Sequence, residues 1–361
     1  MRTMMRCLLA AVLLASPCVA QERVVNVYNW SDYIDPGVLD DFTRETGIKV
    51  VYDTYDSNET LETKLLAGKT GYDIVVPSAT FLQRQIKIGV YQPLDKSKIP
   101  NFKNLSADVM ARLAAYDPGN QYAANYMWYT TGIGYNVGKA KARLGDKPLD
   151  SWDMVYKAEN IRKFSDCGVY FLDSPEDILT TSLRAMGVNP DSKAPADLRR
   201  ATDAITKVKP FVKKFHSSEY INALANGDIC VAIGWAGDVF QAAARAKEAR
   251  NGVEIAYALP KEGSLISLDN LAIPKDAPHA AEAHALIDYL LRPEIAARNS
   301  NVTNYANSVE ASKPLVSKYI LDNRAIYPDE AVMKRLYTTT SNDQATQRVI
   351  TREWTRVKTG R

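Results

Sequence analysis

Short apolar runs that alternate with capped helices constrain this chain more than any other feature. Residues 24–28, 48–52 and 73–76 read as three buried strands. Between the first two, Asp35-Pro36 opens a helix with proline at its first position, Leu39 and Phe42 face inward, and Gly47 ends it. Between the second and third, Asp56 and Glu59 stand at capping-box spacing ahead of Leu61, Leu65 and Leu66, and Gly68 stops the helix. Such alternation predicts a parallel sheet in an α/β fold. Ligands of open α/β sheets bind beyond the strand ends, so the residues just past each run carry information. The first run delivers Trp30, Ser31, Asp32 and Tyr33, and the third breaks at Pro77-Ser78-Ala79-Thr80.

The chain has 361 residues, more than one core comfortably serves, so two lobes are expected. Residues 126–138 carry aromatics, threonine and three glycines and read as strands crossing toward the second lobe. The spacing Gly132-x-Gly134-x-x-x-Gly138 is not that of a dinucleotide site. Helices are expected from Ser151-Trp152, from Ser174-Pro175-Glu176-Asp177 and over residues 194–208. Residues 229–233 form another apolar run, ending at Gly234-Trp235-Ala236-Gly237-Asp238 before a basic helix that reaches Arg250. Residues 253–259 read as the return crossing and residues 268–273 as a strand. Residues 278–291, 293–298 and 342–358 read as helices, the last anchored by Val349 and Trp354. The predicted division is residues 24–129 and 255–310 in lobe one, and 130–254 and 311–361 in lobe two. Paired crossings would form a hinge, with a cleft able to close over a ligand.

Residues 1–20 read as a secretory signal: Arg2 and Arg6 supply charge, residues 7–15 are apolar, and Cys18-Val19-Ala20 ends in small residues. Pro17 argues against a lipoprotein reading on Cys18. Of 45 basic side chains, loss of Arg2 and Arg6 leaves 43 against 42 acidic ones, which gives no case for nucleic acid. An exported chain retaining only Cys167 and Cys230 most simply joins them, the alternative being two separate buried thiols.

Most candidate functional residues sit just past an expected strand or in a helix first turn: Trp30, Ser31, Asp32, Tyr33, Ser78, Glu176, Trp235 and Asp238. Helix capping accounts for Glu176 or Asp238 about as well as function does. Asp269 is different, because an acid inside the apolar stretch 265–273 is costly unless paired. Tyr305 stands between Asn304 and Asn307. Carboxylates and aromatic rings without a basic partner nearby in sequence suit a cationic ligand with an alkyl body.

At these residues the chain resembles the periplasmic polyamine-binding proteins of bacterial ABC uptake systems, closest to the putrescine-binding branch. The matching segments are Trp30-Ser31-Asp32-Tyr33-Ile34, Pro77-Ser78, Ser174-Pro175-Glu176, the long run 227–238 and Tyr305-Ala306-Asn307. Pro260-Lys261-Glu262-Gly263 and the Trp354 tail extend the likeness along the whole exported chain. The resemblance implies a type II periplasmic-binding-protein fold of two hinged lobes and the Cys167–Cys230 disulfide. It implies that Trp30 and Trp235 flank the ligand's alkyl chain. Asp269, with Ser31 nearby, would hold one amine, and Asp238 with Glu176 the other. Asp32, Tyr33, Ser78 and Tyr305 would complete the wall. Relatives commonly carry an aromatic two residues before Asp269, where this chain has Ser267, so the wall there is expected to be roomier and more polar.

The function expected is capture of a polyamine, putrescine or spermidine among them, and its delivery to a membrane ABC permease by a monomeric periplasmic protein without cofactor or metal. A polyamine sensor that presents its closed form to a receptor would need the same pocket. An enzyme on this scaffold is disfavoured: the three histidines, His216, His279 and His284, form no His-Glu-x-x-His motif. No Gly-x-Ser-x-Gly nucleophile elbow occurs either.

Overall fold

A computed structural model of the chain describes residues 23–360; the expected signal segment, residues 1–20, lies outside them. Eleven strands are present among these residues: β1 Val24–Trp30, β2 Lys49–Tyr55, β3 Ile74–Val75, β4 Ala123–Asn136, β5 Val169–Phe171, β6 Lys214–Phe215, β7 Val231–Trp235, β8 Ile255–Ala258, β9 Ser264–Ala272, β10 Ala306–Asn307 and β11 Leu336–Tyr337. The path runs β2-β1-β3-β9-β4-β7-β5-β6. β1 pairs in parallel with β2 and β3, as the strand–helix alternation predicts.

One long strand joins the two lobes. The first half of β4, Ala123 to Thr130, pairs antiparallel with β9 in the first lobe. From Thr131 onward it pairs with β7 and β8 in the second. The expected crossing at residues 126–138 is thus a single strand that changes sheets at Thr130-Thr131. Gly138 departs from that expectation: Asn136 accepts from the Lys139 amide at 2.9 Å and caps a helix, Val137–Leu144. The return crossing also differs. Ile255–Ala258 pairs with Ile133 to Asn136 in the second lobe, and the chain re-enters the first only at β9. The Pro260-Lys261-Glu262-Gly263 turn makes that passage, and Gly263 takes φ +99° there.

Helix ends mostly fall where the sequence places them. Asp35 accepts from the Gly37 amide ahead of Pro36–Thr46, and Gly47 closes that helix in the left-handed region. The next helix, Asn58–Ala67, is capped by Ser57, which accepts from the Thr60 amide, and not by Asp56. Ser is as good a cap as Asp, and using it leaves the Asp56 carboxylate outside the cap. The C-terminal helix, Gln344–Thr359, packs against Pro195–Val208; Trp354 is buried and donates to Asp173 at 2.8 Å. Cys167 and Cys230 are disulfide-bonded, fastening the start of β5 to the start of β7. Among the described residues no helix is long and apolar enough to cross a membrane.

Candidate functional site

The strand ends converge where the lobes meet. Trp30 closes β1 and its indole donates to the Val76 carbonyl at 2.9 Å, which fixes the ring above β3. Trp235 closes β7 in the other lobe, and the two indoles meet edge to face with centroids 5.5 Å apart. Tyr129 packs on Trp235 at 5.7 Å, Tyr55 on Trp30 at 4.7 Å, and Tyr33 on Tyr305 at 4.6 Å. The result is a box of aromatic rings spanning the interlobe boundary.

Two buried carboxylates stand in this box. Asp269 projects from β9, and its oxygens accept from Tyr33 Oη at 2.9 Å and Ser78 Oγ at 2.6 Å. Ser78 is held in turn by Asn58, which bonds both its amide and its hydroxyl. Asp238 lies in the first turn of the helix Ala236–Ala249, and its oxygens accept from Tyr305 Oη and Tyr220 Oη, each at 2.7 Å. Glycines permit both clamps: a Cβ on Gly237 would sit 2.1 Å from the Tyr305 ring, and one on Gly234 2.5 Å from the Tyr220 ring. Among the described residues neither carboxylate forms an ion pair with Lys or Arg.

Burial pushes each of these acids up to about 7. The hydroxyl donors oppose that rise without cancelling it, and Asp238 and Asp177 raise Asp269 further. The carboxylates therefore sense one another, as expected of like charges in a poorly solvated space. An ammonium placed between them would relieve both burial and repulsion.

The structure brings together Trp30, Ser31, Tyr33, Trp235, Asp238, Asp269 and Tyr305 on one cavity of about 10 Å³. Ser78 reaches it through Asp269. Three other sequence candidates lie apart. Asp32 is turned outward at φ +56°, and its carboxylate pairs with Arg245 of the opposite lobe at 2.7 Å. Glu176 accepts from Thr80 at 2.9 Å and Thr339 at 2.8 Å, away from Asp238, and burial raises its pKa. Ser267 lies against the Tyr129 hydroxyl, outside the cavity lining. A larger open groove of about 1420 Å³ runs past Pro36, Tyr52, Arg245 and Tyr319, but contains none of the buried carboxylates.

Sequence reasoning missed Asp177 and Tyr220. Asp177, next to Glu176, is the acid that meets the box: it accepts from Trp235 Nε1 at 3.2 Å and from Thr131 Oγ1 at 2.5 Å. It thus ties the second indole to the strand that joins the lobes. Both acids occupy one first turn, and local pattern does not say which faces inward. Tyr220 follows no strand, and nothing in the sequence around it points to Asp238.

Comparison with known proteins decides the kinship. The model of the family described as bacterial extracellular solute-binding protein matches residues 37–322. The chain belongs to this family. It is 53% identical to the putrescine-binding periplasmic protein SpuD of Pseudomonas aeruginosa, over 100% of this chain and 98% of that one. It is 52% identical to the putrescine-binding periplasmic protein PotF of Escherichia coli, over 95% of this chain and 93% of that one. A solved structure of the spermidine/putrescine ABC transporter substrate-binding protein PotD from Streptococcus pneumoniae superposes with a TM-score of 0.74 at 29% identity, covering 93% and 98% of the two chains. The resemblance read from the sequence motifs and the two-lobe α/β fold are both borne out. Both of these curated relatives, SpuD and PotF, are named as periplasmic binding proteins. Among the described residues no group of three or more His, Cys, Asp or Glu could hold a metal.

Proposed function

We propose that this protein captures a polyamine, a diamine such as putrescine in the first instance, and hands it to an ABC permease. One observation carries the reading: two buried carboxylates, one from each lobe and neither ion-paired with Lys or Arg among the described residues, stand in a box walled by Trp30 and Trp235. Asp269, oriented by Tyr33 and Ser78, takes one ammonium, and Asp238, oriented by Tyr305 and Tyr220, takes the other. The indoles and tyrosines cover the methylenes, and their faces attract the charged ends. Asp177 positions Trp235. Ser31 lines the wall, whereas Asp32 and Glu176 act between the lobes rather than on the ligand. The names and identities of the relatives support the same ligand class.

A cavity of about 10 Å³ is no larger than the space one water needs, roughly 10–15 Å³. A diamine therefore enters only when the lobes part, and the hinge at Thr130-Thr131 and after Pro260 allows that. In the closed arrangement Tyr305–Asp238, Thr80–Glu176 and Arg245–Asp32 bridge the lobes directly. A diamine is larger than this space, so its capture moves Trp30 and Trp235 apart, and by replacing the lost hydration of both acids it favours a nearly closed arrangement over the open one. The proposal includes export by the signal at residues 1–20, action as a monomer, and lobes divided on either side of the β4 crossing.

Calorimetry on protein stripped of co-purified amines tests the reading against putrescine, cadaverine, agmatine, spermidine and spermine. Binding tighter than about 1 mM, roughly 4 kcal/mol, is expected for at least one. Binding of none at that strength would overturn it.

A further inference from the structure

We infer that the cleft holds a third polar subsite, made by Ser217 and Asp56, that takes the third ammonium of a triamine. This rests on the polyamine reading above. Ser217 is 3% exposed, and its hydroxyl has no hydrogen-bond partner among the described residues. It lines the same cavity as Asp238 and Asp269. A buried hydroxyl left unpaired is costly, and a group that enters the cavity and donates to it removes that cost. Asp56 also lines the cavity, is half-buried, and forms no ion pair among the described residues. The cap that its sequence position suggested is made by Ser57.

The two residues come from opposite lobes. Asp56 directly follows β2, and Ser217 lies between β6 and the helix Glu219–Ala225. An ammonium has three donors and no acceptor, so a carboxylate and a hydroxyl oxygen form a fitting pair of acceptors. Asp238 and Asp269 each already accept two hydroxyl donors and account for the two ends of a diamine. Asp56 and Ser217 are the acceptors left over, and a third nitrogen uses them.

The experiment measures putrescine and spermidine affinities calorimetrically for the exported chain and for Ser217→Ala, Asp56→Asn and Ser217→Thr. The affinity ratio of spermidine to putrescine is expected to fall at least fivefold in the first two and to stay within twofold in Ser217→Thr, which keeps the hydroxyl. Retained putrescine binding certifies that each variant is folded. A ratio unchanged in Ser217→Ala and Asp56→Asn, or a parent protein that binds putrescine but not spermidine, overturns the subsite. A parent protein that binds neither amine overturns the polyamine reading itself.

Discussion

Acidification should weaken ligand capture in a way that counts the buried carboxylates. In the cleft without ligand, burial holds Asp238 and Asp269 near 7. Both accept two hydroxyls and neither forms an ion pair with Lys or Arg among the described residues, so an arriving ammonium stabilises the ionised forms and lowers both pKa values. Binding then releases protons: affinity is full above pH 7 and is lost as pH falls through it. The amine ligand stays charged throughout, because alkyl ammonium groups titrate near 10. A group with pKa about 7 is roughly 90% ionised at pH 8 and 10% at pH 6, about tenfold per acid. The pair titrates jointly, so putrescine affinity should fall by up to about 100-fold over that range, close to 3 kcal/mol. Calorimetry in buffers of different ionisation enthalpy gives the dissociation constant and the proton count together. A constant that moves less than twofold between pH 8 and pH 6, or tightens on acidification, would refute the reasoning.

The same geometry sets three further outcomes. Trp235→Ala and Asp238→Ala should each weaken polyamine binding by more than roughly tenfold, as truncation of buried anchors does; wild-type calorimetric affinity in both would put the site elsewhere. Ser267→Phe, which adds a ring beside Tyr129, should shift preference toward shorter diamines, and an unchanged ligand ranking would show that this position does not set selectivity. Reducing the Cys167–Cys230 bond, which spans a sequence separation of 63, should cost about 4 kcal/mol of stability by loop entropy, read as a lower thermal midpoint in Cys167→Ser; an unaltered midpoint would contradict that.

Periodicity and punctuation made much of this architecture legible. The runs ending at Trp30, Val75 and Trp235 are strands because they are short, apolar and bounded by turn or capping residues, and their ends meet because a two-lobe α/β fold aims them at one boundary. Asp269 announced itself by its cost: a buried acid in an apolar strand demands a reason, and Tyr33 and Ser78 are part of it. What escaped depends on direction rather than pattern. Glu176 and Asp177 share one helical turn, yet only Asp177 faces Trp235, since the choice is set by where the helix docks. Asp32 comes after Ser31 at the end of β1, but its left-handed backbone turns it outward to Arg245. Tyr220 reaches Asp238 only because Gly234 lets its ring pack against β7. The return crossing was misplaced because Ile255–Ala258 is apolar enough for either lobe, and pairing with Ile133 to Asn136 decides between them.

The most direct test is a crystal structure of the protein with putrescine bound. One ammonium should lie within hydrogen-bonding distance of Asp269 and the other of Asp238, with Trp30 and Trp235 moved apart to take the methylenes between them. A ligand seated in the outer groove by Tyr52 and Tyr319, with both carboxylates still bonded only to their tyrosine and serine hydroxyls, would contradict the account.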